Sequence, residues 1–198
     1  MPNCRRLLLL FTVHSSLFTL VGCAQVPLTN RYEGPTSLPA DVAAYYAYPH
    51  TPTDVMTALT AERPRWREWL VQFPLSASGF EPTEPVVEVE WFESRQTGRR
   101  PALVFNPILG GDYPLERGLC RFFASQGYHV ALIHRKTLKI SPEHQVERME
   151  LLLRQGVVRI RQVVDWMEAQ PTVDPARLGG FGLSMGGIAG VITAAVEP

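Results

Sequence analysis

Residues 177–191 read R-L-G-G-F-G-L-S-M-G-G-I-A-G-V, and the rest of the chain is organised around them. Leu178 to Phe181 is a short apolar run after the turn signal Val173-Asp174-Pro175, as expected of a buried strand. Gly182-Leu183-Ser184-Met185-Gly186 is G-x-S-x-G, and Met185 to Val196 is an apolar run long enough for a helix. A serine on a tight turn between strand and helix projects its Oγ above the sheet edge, and its neighbours two positions away must lack bulk. Gly187, Ala189 and Gly190 extend the small-residue pattern, so the helix can pack close to the strands beside it. The helix N-terminus brings backbone N–H groups to Ser184, where a developing oxyanion would need them. A glycine-rich turn with an incidental serine is the alternative; the strand before and the helix after favour Ser184 as a nucleophile position.

The 198 residues are 45% hydrophobic and 19% charged with a formal net charge of zero, which suits one globular domain with a real core. The charge is balanced and no basic block occurs, so nucleic acid is not an expected partner. The first residues differ in kind. Arg5 and Arg6 precede a mostly apolar Leu7 to Val21, then Leu20-Val21-Gly22-Cys23. The apolar run is short for a membrane span and fits a secretory signal. Small residues before a cysteine resemble the bacterial lipoprotein signal, which implies residues 1–22 as signal peptide and Cys23 as the lipidated, mature N-terminus. A plain signal peptide or an N-terminal core helix is the alternative. The implied location is the cell envelope, anchored to a membrane by lipid. Ala24 lacks the acid that commonly retains such proteins at the inner membrane, which makes the outer membrane the expected destination. Removal of residues 1–22 would leave a net charge of −2. It would also leave Cys120 as the one cysteine apart from Cys23; set among Leu119, Phe122 and Phe123, it reads as a buried, inert thiol.

Residues 23–52 form a tether and N-terminal extension, and nine of the seventeen prolines fall in residues 24–85. Helices are expected near Thr53–Ala61 and Arg65–Phe73, separated by Pro64. Tyr45, Tyr46, Tyr48, Trp66 and Trp69 are expected to pack this region onto the domain; lining a pocket is the alternative. From Pro85 the pattern alternates: Val86, Val87, Val89, Trp91 and Phe92 form a strand with Glu88 and Glu90 outward. Ala102–Phe105 is an interior strand. A loop Asn106–Asp112 follows, then a helix Tyr113–Gln126 with Leu115, Leu119, Phe122 and Phe123 on one face, then a strand His129–Ile133. Ser141-Pro142-Glu143 starts a helix whose apolar stripe runs from Val146 to Met167, with a kink at Gly156. Strands alternating with helices predict an α/β fold, a mainly parallel sheet with helices on both faces.

A serine hydroxyl needs a base to take its proton and donors for the tetrahedral oxyanion. The first donor is the backbone N–H of Met185. The second is expected from the Asn106–Asp112 loop, where Pro107 has no N–H; Ile108 is the first choice and Leu109 the second.

The segments F-N-P-I-L-G-G-D-Y, G-Y-H-V-A-L-I-H-R-K and V-D-W-M-E-A-Q-P-T-V-D-P-A-R-L-G-G-F-G-L-S-M-G-G together resemble the α/β-hydrolase superfamily, and within it the dienelactone-hydrolase-like and esterase or acyl-peptidase-like branches. The resemblance covers roughly residues 86–198 and is most specific at 177–190. It implies Ser184 as nucleophile, Met185 and the 106–112 loop as oxyanion donors, and no metal or organic cofactor. Asn106-Pro107 stands where many relatives have His-Gly.

In this superfamily the triad acid and histidine follow the serine. Fourteen residues follow Ser184; they include Glu197 and no histidine. His134, at a strand end, is a pocket-wall residue or a substitute base. His144 reads as a solvated helix residue, His129 as a strand residue and Asp112 as a turn cap. The expected domain is therefore residues 53–198, ending after the nucleophile helix. Two functions are carried forward. One is an exported serine hydrolase cleaving a small acyl ester, thioester or amide, present as an incomplete N-terminal part. The other is a catalytically inactive hydrolase-fold lipoprotein with a binding or envelope-structural role.

Overall fold

A computed structural model describes residues 37–50, 52–107, 111–135 and 145–197. Helix α1 (Ala40–Tyr45) precedes strands β1 (Met56–Glu62), β2 (Trp66–Pro74), β3 (Val86–Ser94) and β4 (Arg100–Asn106). Then come α2 (Pro114–Ser125), β5 (His129–Ile133), α3 (Gln145–Glu168), β6 (Val173–Gly182) and α4 (Met185–Val196). The six strands form one sheet in the order β1-β2-β3-β5-β4-β6.

The sheet is mixed, which qualifies the mainly parallel expectation. β1, β2 and β3 are an antiparallel meander and β3 pairs antiparallel with β5; β5-β4-β6 is the parallel part. The two helices expected over residues 53–73 are strands instead. In β2 the buried positions Val71 and Phe73 alternate with more exposed ones, and Pro64 lies in the turn, which Arg63 N–H closes on the Trp66 carbonyl. The working period of β2 is two, that of a strand and not of a helix.

Two crossovers between parallel strands position the site. From β4 the chain passes through α2 to β5 on one side; from β5 it passes through α3, over β4, to β6 on the other. The two crossovers run in opposite directions along the sheet, and their helices lie on opposite faces. Phe92, Phe105, Val130 and Leu132 pack with Cys120 and Ala124 of α2. Val89, Trp91, Val104, Ala131 and Ile133 pack with Val158, Ile160, Val163 and Met167 of α3 and Ala189 of α4. Layers on both faces were expected and are observed. In such sheets the crevice where the winding reverses opens at the carboxyl ends of the strands, here between β4 and β6.

On α2 the buried line is Glu116, Cys120 and Ala124, flanked by Leu119 and Phe123, while Leu115 and Phe122 are exposed. The small Cys120 and Ala124 let the helix approach the sheet, and burial pushes the Cys120 thiol far above its ordinary value, as an inert cysteine requires. Helix α3 is unbroken at Gly156; a Cβ there would lie 2.6 Å from Arg135 Nη2, so this glycine makes room for a buried arginine. Polar side chains of α3 bind the N-terminal extension and the segment between β2 and β3. Arg154 Nε donates to the Tyr45 carbonyl (2.7 Å), Arg161 Nη1 to that of Tyr46 (3.0 Å) and Gln162 Nε2 to that of Ser76 (3.0 Å); Tyr48 Oη donates to Asp165 (2.9 Å). The tyrosines thus pack the extension onto the domain, as expected.

Strand β6 begins earlier than the apolar run suggested. Arg100 is in register with Val173 but Ala102 with Leu178, so Asp174–Arg177 bulges from the ladder. Asp174 holds that bulge, accepting from Ala176 N–H and from Arg177 Nε. The expected turn at 173–175 survives as this irregularity.

Candidate active site

The carboxyl ends of β4 and β6 meet at Asn106 and Gly182, which are in register. The chain then turns sharply into α4, and Ser184 sits on the turn with φ 51° and ψ −121°. An L-residue reaches that region only under constraint. The constraint is visible in the glycines. A Cβ on Gly182 would lie 2.5 Å from the Gly186 carbonyl oxygen, and one on Gly186 would lie 2.7 Å from the Asn106 carbonyl carbon. Leu183 N–H donates to the Asn106 carbonyl (3.0 Å), Gly186 N–H to that of Leu183 (2.9 Å), and Gly187 N–H to that of Ser184 (2.9 Å). The turn is therefore braced on both sides, Ser184 is exposed, and its hydroxyl has no hydrogen-bond partner among the described residues.

Met185 opens α4, and among the described residues its N–H has no acceptor in the bonds that close the turn. Asn106 is 1% exposed and among the described residues its Oδ1 has no partner; its Nδ2 lies beside Gly190 of α4. Ile108 and Leu109, the expected second donors, lie outside the described residues, as do Cys23, His144 and most of the tether.

The far end of that loop is anchored by residues the sequence reading did not single out. Tyr113, with φ 52°, donates its hydroxyl to the Arg135 carbonyl (2.8 Å) and accepts from Arg135 N–H (3.2 Å). Arg117 binds the Asp112 carbonyl and the Glu90 carboxylate. The N-cap position of α2 is Tyr113, with no side-chain capping bond. Glu88 and Glu90, expected to face outward, are engaged. His134 Nε2 lies 2.8 Å from Glu90 Oε1 and Nδ1 lies 3.1 Å from Glu88 Oε1, so both ring nitrogens are occupied by carboxylates. These contacts follow from β3 lying beside β5, a pairing that chain order does not suggest. Burial raises the Glu90 pKa, but hydrogen bonds from His134 and Arg117 outweigh it and hold the carboxyl down at about 2.

No histidine or carboxylate among the described residues hydrogen-bonds Ser184. His129 is fully buried, accepting from Ser94 N–H on Nδ1 (3.0 Å) and reaching the Thr172 carbonyl through Nε2 (3.1 Å), with its pKa lowered by burial. That is a neutral structural imidazole. Glu197, the acid after Ser184, is paired with Arg161. Among the described residues no three His, Cys, Asp or Glu side chains converge as metal ligands would, and no helix is long and apolar enough to cross a membrane.

No family model and no curated protein matches the chain. Solved structures do. Acetyl xylan esterase 1 from Thermoanaerobacterium sp. JW/SL YS485 superposes with a TM-score of 0.63 at 17% identity, over 88% of this chain and 61% of that one. A putative acetyl xylan esterase from Bacteroides fragilis gives 0.59 at 15% identity, over 79% and 48%. An acetyl xylan esterase from Paenibacillus sp. R4 gives 0.53 at 14%, over 74% and 51%. The likeness establishes an α/β-hydrolase fold. The chain spans between 48% and 61% of these neighbours' lengths.

Proposed function

We propose that this chain carries the nucleophile of a serine hydrolase that cleaves a small acyl ester, with an O-acylated carbohydrate as the substrate class and thioesters and amides as less favoured targets. The observation that supports it most is Ser184: an exposed hydroxyl on a strained strand-to-helix turn, beside the backbone N–H of Met185, at the carboxyl ends of β4 and β6. The esterase neighbours support the substrate class.

In this reading Ser184 Oγ attacks the acyl carbon, and the carbonyl oxygen takes the negative charge. The Met185 N–H donates to that oxygen, and a second N–H comes from the 106–112 loop, Ile108 before Leu109. Collapse expels the alcohol, which takes a proton, and water then cleaves the acyl-serine. His129 and His134 are committed elsewhere. In this reading the general base and its acid come from outside the described residues, in keeping with the greater length of the neighbours. The inactive hydrolase-fold alternative makes the opposite claim about the downstream gene: no histidine-bearing segment follows.

The proposed setting is the bacterial envelope, with Cys23 lipidated and the chain anchored to a membrane. Fatty-acid labelling should tag the wild type and spare Cys23→Ala; equal labelling would remove the anchor. For the hydrolase, the protein extended through its downstream reading frame should react with a fluorophosphonate probe, and Ser184→Ala should not. Labelling that persists in Ser184→Ala would overturn the assignment.

A further inference from the structure

A second cavity lies away from the Ser184 turn, on the face covered by α3. Trp69 of β2 and Trp91 of β3 are a direct cross-strand pair. Trp166, near the end of α3, meets Trp91 edge to face, with ring centroids 5.1 Å apart at 83°. The three indoles, with Thr57, Val71, Glu93 and Gln170, line a cavity of about 180 Å³. Two strands, β5 and β4, separate β3 from β6, and the end of α3 lies where β6 begins, opposite the end that carries Ser184. The cavity is therefore not part of the site described above.

Its polar groups are unevenly used. Trp69 Nε1 donates to Glu93 Oε2 (3.0 Å), and Gln170 Nε2 donates to the Trp166 carbonyl (2.8 Å). Within the described residues the indole N–H groups of Trp91 and Trp166 have no acceptor, and neither is sealed from solvent as an orphaned buried atom. A largely buried tryptophan ordinarily finds a partner for its N–H. Two residues with unused N–H groups thus line one cavity, together with the polar side chains of Thr57, Glu93 and Gln170. Flat apolar walls with donors and acceptors at their rim match a molecule having apolar C–H faces and a girdle of hydroxyls, each able to donate and accept.

The charge favours a neutral guest. Arg67 Nη1 lies 3.9 Å from Glu93 Oε2, so the one carboxylate already has a cation nearby. The size favours one ring, since sites for drug-sized ligands hold roughly 300–1,000 Å³. We propose that the Trp69–Trp91–Trp166 cavity is a binding subsite for a single neutral sugar ring, one unit of a longer glycan. It does not depend on the hydrolase reading.

The test titrates the full chain with xylotriose and with cellotriose, following tryptophan fluorescence and heat. Saturable binding of at least one trisaccharide in the millimolar range is expected. Trp69→Ala should weaken it about tenfold or more, and Thr57→Ala or Gln170→Ala about threefold each, the loss of one neutral hydrogen bond. Ser184→Ala should bind as the wild type does, which separates this site from the turn. If Trp69→Ala does not fold, the Thr57 and Gln170 variants carry the test. Absence of saturable binding to both sugars would overturn the proposal, as would binding that the Thr57 and Gln170 variants leave intact. A response to choline chloride alone would also overturn it, assigning the indoles to a cation cage.

Discussion

Gly186 rests directly on the backbone of Asn106: a Cβ built on it would overlap the Asn106 and Pro107 carbonyl oxygens. Both partners are backbone, on an interior strand end that cannot retreat. Gly186→Ala is therefore expected to cost about 3 kcal/mol or to unfold the turn, at the upper end of what overpacking costs. Gly187→Ala, whose Cβ would meet the Gly182 carbonyl oxygen at 3.2 Å, should cost clearly less. Urea melts of both variants against wild type provide the measurement; equal stabilities would mean that the turn is looser than this packing requires.

Ser184 itself is the second place where the backbone is forced. At φ 51° and ψ −121° a side chain is strained by roughly 1–3 kcal/mol, whereas glycine adopts such angles freely. Ser184→Gly is expected to raise stability by about 1 kcal/mol after the extra flexibility of the unfolded chain is subtracted. Ser184→Ala keeps the strain and should be near neutral. Both should lose reaction with a fluorophosphonate. A Ser184→Gly variant less stable than Ser184→Ala would contradict the strained turn.

The turn and the two glycines were legible because their spacing reports backbone geometry directly. So were β3, β4, β5 and α4, whose apolar runs are bounded by turn residues. The hairpin at Met56–Pro74 was not: methionine, alanine, leucine and glutamate in β1 are helix formers that outnumber its two threonines, and the apolar residues of β2 recur at steps that also fit a helix. Most of the support behind the 106–113 loop was hidden for another reason. The contacts of Glu88 and Glu90 with His134 depend on β5 inserting between β3 and β4, a fact of topology rather than of local pattern.

That support makes a pH prediction. The Glu90 carboxyl is held at about 2, against an ordinary value of 4.5, by His134 and Arg117. A depressed carboxyl contributes its stability fully above the unfolded value and loses it as pH falls toward the folded one. The wild type should therefore lose up to about 3 kcal/mol from this group between pH 5 and 2. Glu88, His134 and Arg117 face the same carboxylate, so the informative quantity is the difference between wild type and Glu90→Gln. Glu90→Gln should be less stable at neutral pH, with a gap that closes as pH falls through 4.5 toward 2. A gap that is constant with pH would mean that Glu90 contributes through packing and not through its charge.

The last prediction concerns the outer edge of the sheet. β6 pairs with β4 on one side, and among the described residues nothing pairs its other side. Phe181 packs one face on Phe105 yet remains 44% exposed, and on α4 beside it Ile188 and Val191 are 51% and 73% exposed. Unpaired strand backbone next to exposed apolar side chains favours pairing with another chain. The 198-residue protein is therefore expected to self-associate, with sedimentation coefficients that rise with concentration. Charges placed on the helix should act without disturbing the core, since Ile188 and Val191 belong to neither buried cluster. The double variant Ile188→Lys, Val191→Glu should shift the distribution to monomer while melting at the wild-type temperature. A wild type that stays monomeric at every concentration would mean that the β6 edge is not open to other chains.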